Sequence, residues 1–203
     1  MALVADKNAE FCVKGLLSRP QSLGIHRISV DIFVHPESDP GCLLRAQDFL
    51  RPFWRQYDHA LVMLDREGSG RDDQPRTTLE ADLEERLFAN GWANRAAAIV
   101  VDPELDAWVW SDSPEVDAVL GWAGRHPPLR SWLRSRGFIL RDQAKPTRPK
   151  ETMEEALQVA ARRRSSAIYL ELAKRVSVER CVDPAFLKLK GTLQRWFGSN
   201  KRD

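Results

Sequence analysis

Asp65-Arg66-Glu67 sets two carboxylates two residues apart, where the apolar run 60–64 meets a glycine-rich turn, Gly68-Ser69-Gly70. Five consecutive apolar residues closed by such a turn read as a strand buried on both faces. Side chains at i and i+2 of a strand end point to one side of the sheet. Acids paired at the carboxyl edge of a parallel sheet suit a hard cation such as Mg²⁺, which takes one or two carboxylates and keeps several waters. The plainer alternative is that both acids cap the loop that follows.

Further acids close other apolar runs. Asp6 follows residues 2–5, and Glu104 follows residues 96–101, with Asp106 and Asp112 a few positions on. Ligands of open α/β sheets gather outside the carboxyl ends of the strands, so acids distant in sequence can meet there. Several carboxylates in one place repel unless a cation or a bound proton relieves them. Against this, Glu104 reads equally as a helix-start acid, and Asp106 and Asp112 as solvated surface residues. Cys12, Cys42 and Cys181 are odd in number and widely spaced, which fits neither a disulfide framework nor a zinc site and favours a reducing cytoplasm. His26, His35, His59 and His126 share no ligand spacing.

The elements that must position these acids alternate. After the run 2–5, Asp6 or Asn8 can cap a helix beginning near Ala9, ended by Pro20 and Gly24. Residues 28–34 alternate apolar and polar and predict a strand. Asp39 or Pro40 opens a helix carrying Leu43, Leu44, Phe49, Leu50 and Trp54. Thr77 and Glu80 match a capping box for a helix that Gly91 closes. Strand, helix and strand in turn predict an α/β fold with a mostly parallel four-stranded sheet flanked by helices. The runs 60–64 and 96–101 predict its central strands. Trp108 and Trp110 fall in a segment read as extended, packing under the acids. Beyond it the chain predicts a helical C-terminal extension. Ser113-Pro114 starts one helix; others cover residues 129–136, 151–164, 166–175 and 184–197, with residues 143–150 as a linker.

Charge divides along the same line. Residues 1–124 hold 12 Lys+Arg and 21 Asp+Glu, a net −9, and residues 125–203 hold 19 and 8, a net +11. This predicts an α/β domain over residues 1–124 and a basic helical extension over residues 125–203. An acidic half beside a basic half suits a metal site next to a phosphate-binding surface, and equally an acidic protein partner. Arg162, Arg163, Arg164, Lys188 and Lys190 are the candidate nucleic-acid contacts. Arg125, Arg130, Arg134, Arg136 and Arg141 alternate with Trp122, Trp132 and Phe138, a pairing that can stack on bases, although tryptophans at helical spacing are more often core. No run approaches the ~20 apolar residues that cross a bilayer, and the N-terminus has no basic region followed by an apolar stretch, so neither membrane nor secretion is expected.

The acid after the first strand (Asp6-Lys7-Asn8-Ala9-Glu10), the acid-x-acid of Asp65-Arg66-Glu67 and the segment Pro103-Glu104-Leu105-Asp106-Ala107-Trp108 together resemble the Toprim fold. The chain is most similar to the small RloB-like and OLD-nuclease-like Toprim proteins of bacterial phage-defence loci. The helix openings at Lys150-Glu151, Ser166 and Asp183-Pro184 extend the resemblance through the tail. It implies an Mg²⁺- or Mn²⁺-dependent site that cleaves nucleic-acid phosphodiesters within an antiviral defence system. Asp6 would serve as general acid/base and metal ligand, Asp65 and Glu67 as catalytic metal ligands, and Glu104 as a further metal or shaping residue. It also implies nucleic acid or other defence-complex proteins as partners. Asp6 stands where the family has glutamate, and Glu67 where it has aspartate, each moving a carboxylate by roughly 1.5 Å, about one C–C bond. That departure admits the alternative of a catalytically degenerate Toprim-like subunit that only binds.

Overall fold

Ala60–Asp65 (β3), five apolar residues closed by an acid, and the apolar run Ala96–Val101 (β4) form the middle and one edge of a four-stranded sheet in the computed structural model, which describes residues 1–140 and 143–198. Ala2–Val4 (β1) and Ile32–Val34 (β2) complete it in the order β2-β1-β3-β4. All three pairings are parallel, with Val4 beside Val34 and Met63, and Asp65 beside Val101. The protein is therefore α/β, with helices covering both faces of an all-parallel sheet, an arrangement consistent with a Toprim-like description.

The period-2 geometry of the strands sorts the core into two clusters. Ala2, Val4, Leu61, Met63, Ile99 and Val101 face one side. There they meet Lys7–Leu17 (α1), Pro114–Leu120 (α5), Pro149–Val159 (α7), Ser166–Arg175 (α8) and Pro184–Phe197 (α9). Leu3, Val62, Leu64, Ala98 and Val100 face the other side, against Ser38–Leu50 (α3) and Arg76–Leu87 (α4). Short helices at Pro20–Leu23 (α2) and Leu129–Ser135 (α6) fill the periphery. The first cluster runs from β1 into α9, so the basic C-terminal helices share their core with the sheet.

Several local expectations need correction. The strand expected over residues 28–34 pairs only at Ile32–Val34, because β1 offers just three residues to pair with. The first helix begins at Lys7 with Asp6 as its cap, and ends at Leu17 before the separate helix α2. The capping box at Thr77 does not form: Pro75 occupies the cap and the helix starts at Arg76, which leaves Thr77 inside it. The segment read as extended after Glu104 is a 3₁₀ turn, Leu105–Trp108. The helix expected over residues 151–164 runs from Pro149 to Val159, which places Arg162, Arg163 and Arg164 beyond its end.

Glu80 does different work from the one its spacing suggested. It is buried, and its carboxylate accepts from the Val100 N–H (3.0 Å) while pairing with Arg76 (2.7 Å) and Lys188 (3.2 Å). Glu84 accepts from the Ala98 N–H (2.9 Å) and from Lys188 (2.7 Å). Two helix glutamates thus satisfy two outward N–H groups of edge strand β4, those of Ala98 and Val100, which would otherwise stand unpaired.

Candidate functional site

At the carboxyl ends of the strands a polar cleft of about 430 Å³ is lined by Asp6, Asp39, Asp65, Glu67, Glu104 and Asp106. Lys150, Glu151, Glu154 and Arg164 line it from the C-terminal helices. Asp6 caps α1, its Oδ1 accepting from the Ala9 N–H at 2.8 Å. Asp65 ends β3 and accepts from the Leu105 N–H (2.9 Å), while its own N–H donates to Asp39 Oδ1 (2.7 Å). Glu104 follows β4 and accepts from the Lys150 N–H at the start of α7 (3.0 Å). A backbone N–H therefore fixes one oxygen of Asp6, Asp39, Asp65 and Glu104. The other oxygen of each accepts no protein hydrogen bond among the described residues. Carboxylates oriented in this way are prepared for a ligand without a large entropic cost on binding.

The crowding shows in the acidities. Asp65 holds its proton well above the ordinary aspartate range, first because it is removed from water and then because Asp39, Asp6 and Asp106 lie near. Asp39 is pushed up by burial and by Asp6, against the hydrogen bond from the Asp65 N–H. Burial, Asp106 and Glu67 raise Glu104 to about 7. Without a cation, this cleft relieves its repulsion by holding protons.

Asp106 is buried and is partnered instead. Arg164 Nη2 donates to both its oxygens (3.0 and 2.8 Å), and the Tyr169 hydroxyl donates to Oδ1 (2.9 Å). Arg164 also pairs with Glu154 at 2.9 Å. Burial works against the guanidinium's charge, but Asp106, Tyr169 and Glu154 more than offset it. Tyr169 is buried, burial with the Asp106 charge pushes its hydroxyl above the usual tyrosine range, and its bonds to Arg164 and Asp106 hold those two groups in place. Ser166 Oγ donates to Asn8 Oδ1 (2.9 Å), which ties α8 to the first turn of α1, the helix that Asp6 caps.

Of the residues singled out from sequence, Asp6, Asp65, Glu67, Glu104 and Arg164 line one cleft. Arg162 donates to the Val119 carbonyl, and Arg163 is exposed. Lys188 is held between Glu80 and Glu84, and Lys190 lies half-buried on α9. None of these four lines the cleft. Trp122 is buried, with its Nε1–H donated to the Ala156 carbonyl, and packs on Trp132, which is the core reading. Arg125 lies over the Trp122 ring and Arg130 pairs with the exposed Asp112. Arg141 falls outside the described residues. Trp108 and Trp110 are anchored by Nε1–H bonds to Asp183 and to the Pro149 carbonyl. Sequence reasoning missed Asp39, Lys150 and Glu154 as lining residues. Asp39 was read only as a helix opener, and that first-turn position after β2 was the available signal.

The donor set is of the oxygen type that a hydrated hard cation takes. Four of these oxygens are pre-oriented, in a polar cleft whose crowding a cation would relieve. No group of three or more His, Cys, Asp or Glu among the described residues is arranged to hold a metal ion. No helix among them is long and apolar enough to cross a membrane. Set against known proteins, the chain matches no family model, no curated protein and no solved structure.

Proposed function

We propose that the protein is a component of a prokaryotic antiviral defence system whose acidic cleft is a Toprim-like, Mg²⁺- or Mn²⁺-dependent nuclease site. The observation that carries the chemistry is that Asp6, Asp65 and Glu104, from three separate strand ends, line one cleft, each with one oxygen fixed by a backbone N–H and one open. The assignment to defence rests on the resemblance of the short motifs around these same acids.

Asp65 and Asp39, with Glu67 and Glu104 beside them, would hold the cation. When bound, it would supply Lewis-acid polarisation of a phosphoryl oxygen and an activated water. Arg164 stays charged and is held in place by Asp106, Tyr169 and Glu154, which suits it to orient a phosphate at the cleft wall. Lys150 adds a second cation on the same wall. Asp6 keeps an open oxygen for proton transfer.

The test is calorimetric titration with Mg²⁺ and Mn²⁺ of wild type and Asp65→Ala, followed by incubation of both with labelled DNA and RNA. Binding and cleavage by wild type, both abolished in the variant, support the reading. Absence of cleavage by wild type with either metal overturns it.

A second reading is a catalytically degenerate subunit that binds a partner protein or nucleic acid. The lack of a three-acid metal cluster among the described residues favours it, as do the altered lengths at Asp6 and Glu67. Retained nucleic-acid or partner binding without cation binding would select it.

A further inference from the structure

The two edges of the sheet are treated differently. On β4 the outward N–H groups of Ala98 and Val100 are taken by Glu84 and Glu80. On the other edge, Arg27, Ile28, Ser29 and Val30 form no backbone hydrogen bond among the described residues, although they lead directly into β2. Their side chains nevertheless alternate as a strand's do. Arg27, Ser29 and Asp31 are exposed, whereas Ile28, Val30 and Ile32 are half-buried, the last two against the core. An open groove runs alongside, lined by Leu17, Arg27, Ile28, Val30, Asp31 and Ile32 among others. A segment with strand patterning and open backbone groups is a template for one more strand.

The order of residues indicates which strand. Arg27-Ile28-Ser29-Val30-Asp31 is complementary to itself when reversed. An antiparallel copy centred on Ser29 sets Arg27 opposite Asp31 twice and Ile28 opposite Val30 twice. In that register the Ile28–Val30 positions fall where backbone bonds are exchanged. The Arg27–Asp31 positions fall at the closer non-bonded pairs, where side chains interact most strongly. Asp31 uses Oδ2 to accept from the Tyr57 hydroxyl (2.7 Å), which leaves Oδ1 for an arginine. We infer that Arg27–Asp31 is the contact of a two-fold dimer, in which a second copy of this chain pairs antiparallel with the first and joins the two sheets edge to edge. Self-complementarity of this kind is what an isologous interface requires. So short a contact belongs to the small interface class, with affinity expected near the micromolar range.

The experiment is sedimentation equilibrium of the full chain from about 1 µM to 500 µM, a range chosen to bracket that affinity. Wild type should shift from the 23.2 kDa chain mass towards twice that value. Arg27→Asp, which opposes two aspartates across each half, should weaken the dimer on the order of tenfold. The swap Arg27→Asp with Asp31→Arg should restore it. Restoration by the swap separates pairing from damage to the fold, and matched melting curves for all forms check this. Three results would overturn the inference: wild type monomeric throughout, a dimer indifferent to Arg27→Asp, or a monomer that instead captures an added extended peptide at this edge.

Discussion

Glu104 carries the clearest chemical signature of the cleft. It keeps its proton to about pH 7, whereas a glutamate in the unfolded chain releases it near 4.5, so between those values the folded state binds more protons. Stability from this group is full below pH 4.5 and is lost as pH rises through 7. Asp65 and Asp39, both raised, act in the same direction. Cation-free protein is therefore expected to melt at a lower temperature at pH 8 than at pH 5.5. Glu104→Gln, which keeps an acceptor for the Lys150 N–H, should flatten that slope by raising the melting temperature at pH 8 while leaving pH 5.5 nearly unchanged. A slope identical to wild type would show that Glu104 does not carry the extra proton. A cation reverses the logic, because its ligands must first lose their protons. Added Mg²⁺ should accordingly raise the melting temperature more at pH 8 than at pH 6, and thermal scans at the two values decide it.

At the scale of elements, much of the fold was legible before any coordinates. Helices α8 and α9 begin and end where Ser166, Arg175, Pro184 and Phe197 predicted, and β4 matches its apolar run residue for residue. These segments carry their own punctuation and an unambiguous period. What stayed illegible depends on partners. The length of β2 is set by β1, the start of α4 by Pro75, and Asp39 joins the acids only because folding brings the head of α3 against Asp65. Gly15 is a further case. It lies where α1 crosses α8, and a Cβ there would stand 2.6 Å from the Ala173 Cβ and 2.8 Å from the Leu170 carbonyl oxygen. Gly15→Ala should gain helix propensity yet destabilise by about 1–3 kcal/mol, because two helix backbones must separate. The lever runs the other way at Ala161, which ends α7 with φ 56°, a conformation that suits glycine. Ala161→Gly should stabilise by roughly 0.5–1 kcal/mol. Denaturant midpoints measure both, and a Gly15→Ala protein as stable as wild type would mean that the crossing is looser than these distances imply.

For the whole molecule, the contrast between an acidic first half and a basic second half acquires a physical meaning. The basic C-terminal helices are not a detached arm: α8 sets Tyr169 against Asp106, the stretch after α7 delivers Arg164 to the cleft, and α9 sends Lys188 to Glu80 and Glu84. The opposite charges meet within the fold, so the split in the sequence is in part a docking code between its own segments, leaving Lys150 and Arg164 on the wall of the cleft. Glu80 is where this integration can be tested. It is buried and joins α4, α9 and the edge of β4 through one carboxylate. Replacing it with alanine leaves the Val100 N–H without its acceptor, Arg76 without its partner and Lys188 with Glu84 alone. The cost expected for breaking such a buried network is about 3–5 kcal/mol. Glu80→Gln keeps an acceptor for Val100 while removing the charge and should cost less. A second consequence separates this role from packing alone. With its cap removed, β4 presents a free N–H beside an apolar run, so Glu80→Ala should aggregate under conditions where Gly15→Ala, brought to the same unfolded fraction by temperature, remains dispersed. Light scattering during matched thermal ramps distinguishes the two, and equal aggregation would mean that the carboxylate stabilises the fold without guarding its edge.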